Sequence, residues 1–148
     1  MDSAFKYIID NGICSEKEYP YEGTDGGGCN PCKTVVKINN YKDIESNNEK
    51  ILKRAVAQQP VSVAIEADQF SFQHYSNGVF SDQTCGTKLD HGVLIVGYGY
   101  DLSSDMDYWL VKNSWGDQWG EDGYIRIQRN INNSSGLCGI AMMPSIPL

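Results

Sequence analysis

The sequence lacks three features, and each absence excludes a kind of segment or partner. No window of its 148 residues approaches the run of about 18 apolar residues that a membrane-spanning helix needs. Residues 1–10 have neither a basic segment nor a separate apolar segment, so no secretory signal is predicted there. Basic residues are few and scattered, with 12 Lys and Arg against 19 Asp and Glu and a net charge of −7. We therefore expect neither a membrane nor a nucleic acid as partner.

Cysteine is plentiful by comparison, and two overlapping sequons are present, Asn132-Asn133-Ser134 and Asn133-Ser134-Ser135. Disulfides and sequons are both typical of an oxidising compartment. The alternative is a zinc site in the segment 29–32. Structural zinc needs four ligands and no second closely spaced Cys or His pair exists, so we expect no metal or other cofactor. The cysteines are odd in number, so at least one is free, intermolecular or separated from its partner. They are Cys14, Cys29, Cys32, Cys85 and Cys138.

Apolar residues recur at helical spacing in two stretches. The first runs from Ala4 to Ile9 and predicts a helix that ends at Asn11-Gly12, so the chain begins inside or just before a helix. The second follows a capping box at 46–49 and predicts a helix that stops before Pro60. Between them, the segment 18–33 is rich in Gly, Pro and Asp. We expect it to be an irregular loop pinned by a disulfide.

Beyond this second helix the apolar pattern changes to that of strands. Four segments bounded by Gly, Asp or Asn predict strands at 61–65, 91–97, 108–112 and 124–129. In the last of them Ile125 and Ile127 alternate with polar residues, which indicates one solvated face. We expect a small antiparallel sheet or barrel.

His91 is the more promising of the two histidines. It opens an apolar strand directly after Asp90, at the mouth of the expected barrel, whereas His74 lies in a polar stretch. A histidine at a strand edge also fits a purely structural role. Asn113 and Trp115 follow the predicted strand 108–112, where a neighbouring strand could bring them beside His91.

Three segments around these residues resemble the papain-like cysteine proteases, most closely the plant enzymes. Their sequences are DHGVLIVGYG at 90–99, YWLVKNSWG at 108–116 and WGEDGY at 119–124. The resemblance covers nearly the whole chain, from Met1 to Leu148. It implies an α+β papain-like fold of two lobes, one mainly helical and incomplete here and the other an antiparallel β-barrel, with the active site in the cleft between them. We assign 1–42 to the remnant of the helical lobe, 43–143 to the barrel lobe and 144–148 to a tail that returns to the helical lobe.

The resemblance implies that His91 and Asn113 are catalytic. In such proteases an imidazolium lowers the pKa of a cysteine thiol so that the thiolate persists, and it later protonates the leaving amine. The side-chain oxygen of Asn113 would accept a hydrogen bond from the ring, and Trp115 would shield that bond from water. The alternative is that Asn113 caps a turn and Trp115 is ordinary core.

The resemblance also implies an apolar substrate pocket for the residue second before the scissile bond. No charge in it would attract a basic group, so an apolar side chain is the expected preference. The same residues would equally fit a core. They are Met1, Ala64, Leu89, Gly92 and Met143.

The family's cysteines match only some of those present. Cys85 and Cys138 match a disulfide pair of the barrel lobe, and Cys29 matches a cysteine whose partner lies upstream. Cys14 and Cys32 have no assigned role, and pairing with each other is one alternative.

One motif of the family is missing. The sequence contains no Cys-Gly-[Ser/Ala]-Cys-[Trp/Tyr] nucleophile segment. In this family the histidine lies about 130 to 150 residues beyond that cysteine, so we expect the nucleophile about 40 to 60 residues before Met1. We therefore expect a fragment that is inactive alone. Apolar surface from Ala4, Phe5 and Ile8 would then lack its packing partner.

The expected function is that of a cysteine-type endopeptidase acting on peptide or protein substrates. We expect a vacuole, a lysosome-like compartment or the extracellular space as its location. Candidate partners are cystatin-like inhibitors and the missing N-terminal segment. One alternative is a short non-catalytic homologue that serves as an interaction or inhibitor-binding module, although a binder needs none of His91, Asn113 and Trp115. The other is an unrelated β-rich lectin or inhibitor domain, which would leave three motifs to coincidence.

Overall fold

The computed structural model describes residues 1–24 and 28–148. Contacts divide the chain into two units. The first is Met1–Lys42 with Pro147–Leu148, and the second is Asp43–Ile146. The predicted tail 144–148 is therefore divided, with its first three residues in the second unit. In chain order the elements are α1 (Asp2–Asn11), β1 (Ile13–Cys14), β2 (Thr34–Val36), β3 (Tyr41–Asp43), α2 (Glu49–Val56), β4 (Val61–Ile65), α3 (Phe70–Gln73), β5 (Val79–Phe80), β6 (His91–Asp101), β7 (Met106–Lys112), β8 (Tyr124–Gln128), a short 3₁₀ helix (Leu137–Gly139) and β9 (Ser145–Pro147).

The first unit contains α1 and a two-stranded antiparallel sheet of β1 and β2. The predicted helix is confirmed, and it stops at Gly12, which has φ of 77° and donates its N–H to the carbonyl of Ile8. Phe5 is buried and stacks on Tyr41 with ring centroids 5.6 Å apart. The expectation that Phe5 would lack a packing partner is therefore wrong.

The loop 18–33 is irregular in its described part. None of its described residues belongs to a helix or strand, and a disulfide joins Cys32 to Cys14. Residues 25–27 of this predicted loop lie outside the described residues. The disulfide also rules out the alternative that Cys29 and Cys32 together hold zinc, because a disulfide sulfur is no thiolate ligand.

The larger sheet has the strand order β3-β9-β4-β6-β7-β8-β5. The pairs of β4 with β6, β6 with β7, and β7 with β8 are antiparallel, whereas β5 pairs with β8 in parallel. Within the described residues no pairing joins the two outer strands, so the sheet is open. The expected antiparallel pairing is present in these central strands, but the barrel that the resemblance implies is not closed.

The core of the second unit includes side chains from this sheet and from α2. Trp109 and Ile127 are fully buried on neighbouring strands, and Leu52 is the fully buried residue of α2. On β8 the alternation is as predicted, because Ile125 and Ile127 are buried while Arg126 is only partly covered. Burying such side chains removes most of their apolar area from water, which is the main stabilising term of the unit.

Helix α2 begins two residues after the position that a capping box starting at Ser46 requires. Its N-cap is Asn48, whose side-chain oxygen accepts the N–H of Ile51 at 3.1 Å. The predicted capping box is therefore wrong in register, although the helix itself is confirmed. No helix in the described part of the chain is long and apolar enough to cross a membrane.

Candidate active site

His91 and Asn113 are brought together by the register of three strands. His91 is the first residue of β6 and pairs with Ile65 of β4. Asn113 directly follows β7, and its N–H donates to the carbonyl of Gly123 at 3.0 Å. Because β6 and β7 are antiparallel neighbours, the first residue of β6 and the residue that follows β7 lie at the same end of this strand pair.

The two side chains are in hydrogen-bond contact. His91 Nε2 lies 2.7 Å from Asn113 Oδ1. The same Oδ1 accepts the backbone N–H of Ser114 at 2.8 Å, and a backbone N–H can only donate. The oxygen must therefore also be the acceptor towards the ring, so the hydrogen of neutral His91 lies on Nε2. Nδ1 is left as the ring nitrogen that can exchange a proton with another group.

Asn113 is held more tightly than its position after a strand suggests. The residue is only 8% exposed, and within the described residues its Nδ2 has no hydrogen-bond partner. Leaving such a buried donor unpaired costs about 1 to 3 kcal/mol. The local structure accepts this cost while keeping Oδ1 directed at the ring, which is typical of a functional position.

Trp115 lies against the histidine ring. The ring centroids of Trp115 and His91 are 4.9 Å apart with an interplanar angle of 30°. Trp115 remains 40% exposed, so a large part of its side chain is open to solvent. Its predicted role as a shield stays a prediction.

Two aromatic residues to which the sequence assigns no role, Phe72 and the Trp119 of the motif at 119–124, support Trp115. Trp119 meets Trp115 edge-on at 5.2 Å, and Phe72 does so at 5.7 Å. The indole N–H of Trp119 donates to the carbonyl of Gln73 at 2.9 Å, which ties α3 to this cluster. The sequence indicates a polar stretch at 72–76, but its Phe72 and Tyr75 are buried. Their spacing of three residues was the one available signal of a helical apolar face.

The side chains of Asp90 and His74 have other partners. The carboxylate of Asp90 accepts the N–H of Ala67 at 2.8 Å. His74 is exposed and its Nδ1 lies 2.9 Å from the carbonyl of Phe70, on whose ring it stacks. His91 is therefore the histidine that the structure joins to Asn113.

The predicted pocket residues have different surroundings. Ala64 and Gly92 face each other across β4 and β6, and a Cβ at Gly92 would meet no heavy atom within 4 Å. The Leu89 side chain lies over Gly139, where a Cβ would approach its Cδ2 to 2.8 Å. Met143 is half exposed. Met1 belongs to the first unit, as the residue before α1.

The cysteines form two disulfides. Cys85 is joined to Cys138, and Cys14 to Cys32, while Cys29 is free and exposed. The described residues hold no group of three His, Cys, Asp or Glu arranged to bind a metal ion.

Comparison with known proteins places the chain in a family. The model of the papain family cysteine protease matches residues 1–148. The chain belongs to the papain family of cysteine proteases. The probable cysteine protease RD21C of Arabidopsis thaliana is 56% identical over 99% of this chain, and the oryzain beta chain of Oryza sativa subsp. japonica is 55% identical over 99%. The papain-family chain spans only 33% and 32% of these two relatives.

Solved structures of the papain family share the fold. The bromelain protease of Ananas comosus, in complex with the E64 inhibitor, superposes with a TM-score of 0.89 at 44% identity, covering 97% of this chain and 66% of that one. The proform of the ragweed pollen allergen Amb a 11, a cysteine protease, gives 0.92 at 43% identity, covering 100% and 45%. The predicted α+β papain-like fold is confirmed, with an open sheet in place of the barrel.

Proposed function

We propose that this chain supplies the histidine and asparagine of a papain-type endopeptidase site and does not hydrolyse peptide bonds alone. The observation that carries the proposal is the contact of His91 Nε2 with Asn113 Oδ1 at 2.7 Å. It leaves Nδ1 free towards a thiol, and the sequence has no Cys-Gly-[Ser/Ala]-Cys-[Trp/Tyr] segment to provide one. The nucleophile would come from polypeptide outside these 148 residues.

The chemistry needs a proton carrier of fixed orientation. A thiol transfers its proton to Nδ1 of His91, and the resulting imidazolium stabilises the thiolate. The thiolate attacks the peptide carbonyl, and the same Nδ1 proton then passes to the leaving amine. Asn113 holds the ring in this orientation through Nε2, and Trp115 limits the access of water to the bond that orients it.

The other cysteines do not replace the missing nucleophile. Four are committed to disulfides, and Cys29 lies in the irregular loop 18–33, outside any Cys-Gly-[Ser/Ala]-Cys-[Trp/Tyr] segment. Loss of the nucleophile alone costs about 10⁶ in kcat in a related type of triad enzyme. The purified 148-residue chain should therefore neither cleave peptide substrates nor react with a thiol-directed epoxide probe at a catalytic cysteine. Turnover that His91→Ala abolishes would overturn the proposal.

A chimera tests the positive half of the proposal. The nucleophile-bearing segment of the relative RD21C would be fused before Met1, and peptide hydrolysis would be measured. We expect activity that falls by about 10²-fold or more in His91→Ala, since general acid–base catalysis contributes about 10² to 10⁴. His74→Ala is the matched control and should keep the activity. A chimera whose activity survives His91→Ala would refute the assigned role.

The substrate preference, partners and location are parts of the same proposal. The open space over Gly92 beside Ala64 fits an apolar side chain of the residue second before the scissile bond. Peptides, proteins and cystatin-like inhibitors are the proposed partners. Two disulfides favour a vacuole, a lysosome-like compartment or the extracellular space. Kinetics of the chimera on peptides that differ only at the second residue before the cleaved bond test the preference.

A further inference from the structure

The two overlapping sequons occupy the loop that follows β8 and precedes the 3₁₀ helix. Asn132, Asn133 and Ser134 are all exposed. Oligosaccharide transfer to asparagine requires an accessible side-chain amide followed two residues later by a hydroxyl. Adjacent sequons compete for one glycan, because two bulky oligosaccharides do not fit on neighbouring side chains. The local geometry distinguishes the two asparagines.

We propose that Asn133 is an N-glycosylation site and that Asn132 is not. The side-chain oxygen of Asn133 accepts the N–H of Ser135 at 3.1 Å. This bond spans its own sequon, from the asparagine to the hydroxyl residue two positions later, and forms between neighbours in sequence, so the growing chain can adopt it before the protein folds. It engages the carbonyl oxygen and does not involve Nδ2. Among the described residues no N–H donates to the side chain of Asn132.

The backbone around Asn133 is fixed at several points. Its own N–H donates to the carbonyl of Ile131 at 2.8 Å, and its carbonyl accepts the N–H of Gly136 at 3.0 Å. Upstream, the N–H of Asn130 donates to the carboxylate of Glu49 at 2.8 Å, which attaches the loop to the start of α2. The amide that would carry the glycan therefore belongs to a turn whose backbone is held by hydrogen bonds.

The surface beside Asn133 has room for a sugar. A shallow concavity of about 420 Å³ lies next to the loop, and its polar lining includes Asn47, Lys50 and Asn130. Amide and ammonium groups of this kind can hydrogen-bond the hydroxyls of the first sugar residue. A glycan could thus lie along the protein surface without displacing packed side chains.

The glycan would leave the His91–Asn113 site open. Tyr124 at the start of β8 pairs with Lys112, the residue before Asn113, whereas the sequons follow Gln128 at the other end of the strand. Four residues of strand separate these ends by roughly 13 Å. Glycosylation should therefore not change the environment of His91.

The transfer reaction needs a lipid-pyrophosphate-linked oligosaccharide as donor. A bond forms between Nδ2 of Asn133 and C1 of the first sugar, and the bond from C1 to the pyrophosphate oxygen breaks. The lipid pyrophosphate leaves with the bonding electron pair, and Nδ2 loses a proton to a base of the transferase. This inference depends on passage through the secretory pathway, so the test supplies a secretion signal and does not rely on the proposed protease function.

Four single substitutions separate the two sequons. The signal-bearing chain would be secreted from a eukaryotic host and treated with an amidase that releases N-glycans in heavy-oxygen water, which marks the former acceptor by mass. Asn132→Gln and Ser134→Ala destroy only the first sequon, and Asn133→Gln and Ser135→Ala destroy only the second.

The expected result is one glycan per chain, on Asn133. It should persist in Asn132→Gln and Ser134→Ala and be lost in Asn133→Gln and Ser135→Ala. Secretion of an unmodified wild-type chain would overturn the proposal, and so would a glycan that persists in Asn133→Gln, because that glycan would sit on Asn132.

Discussion

Gly123 holds the backbone of Asn113 in place, and Gly123→Ala should destabilise the fold at the candidate site. Its φ is +86°, and a Cβ there would lie 3.1 Å from the carbonyl oxygen of Gly116. Its carbonyl also accepts the N–H of Asn113. A side chain in the left-handed region costs about 1 to 2 kcal/mol, and the close contact adds to this. We expect Gly123→Ala to lower the free energy of unfolding by about 2 to 3 kcal/mol.

Two other glycines separate the causes. Gly78 has the same φ of +86° but open space around a Cβ, so Gly78→Ala should cost only the backbone term of about 1 to 2 kcal/mol. Gly92 also faces open space, and its φ lies outside the left-handed region, so Gly92→Ala should change stability by less than about 0.5 kcal/mol. Urea unfolding measures all three. Equal stabilities for the three variants would refute the reasoning.

Two further predictions concern the cap of α2 and acid stability. Asn48→Ala should lower the free energy of unfolding by about 1 kcal/mol in urea unfolding, because the side chain of Asn48 accepts the N–H of Ile51. Ser46→Ala should leave the free energy of unfolding unchanged. A larger loss in Ser46→Ala than in Asn48→Ala would support the capping box instead. The hydrogen bonds from Arg126 hold the pKa of the Glu121 carboxyl below its usual range, so this group stabilises the fold above its unfolded pKa of about 4.3, and the stability is lost as the pH falls through the lower folded value. Urea unfolding of Arg126→Gln from pH 6 to 2 should show a shallower acid loss than wild type, and an identical pH dependence would contradict this assignment.

Local patterns in the sequence predicted the elements well where the apolar period ran over several residues. The strand at 61–65 has the bounds of β4, and its alternate residues Val61, Val63 and Ile65 are fully buried. The helix before Gly12 likewise ends where its glycine requires. In both cases the information lies within the segment itself.

Strand β6 is longer than its glycines predict. The strand was expected to end at Gly97 but continues to Asp101, with a register shift near Gly97. A Cβ at Gly99 would lie 2.5 Å from the hydroxyl of Tyr108 on the next strand. Glycine is present there because another side chain crosses close to the backbone, and that contact is invisible in a single strand.

Contacts between residues that are far apart in the chain could not be predicted from local patterns. Sheet closure depends on whether two distant edges pair, and the parallel partner of β5 comes from β8, which follows it by more than forty residues. Phe72 is buried partly by contact with Trp119, which lies far from it in the sequence. For His91 and Asn113, the family resemblance supplied the pairing, whereas the 2.7 Å contact and the role of the Ser114 N–H come from the structure.

The tautomers of the two histidines test the central claim most directly. In the 148-residue chain at a pH where both rings are neutral, ¹⁵N NMR should find the hydrogen of His91 on Nε2, because Asn113 Oδ1 accepts it. The hydrogen of His74 should lie on Nδ1, because the carbonyl of Phe70 can only accept. Asn113→Ala should remove the preference at His91 and leave His74 unchanged. A His91 ring that carries its hydrogen on Nδ1, or that does not respond to Asn113→Ala, would contradict the account.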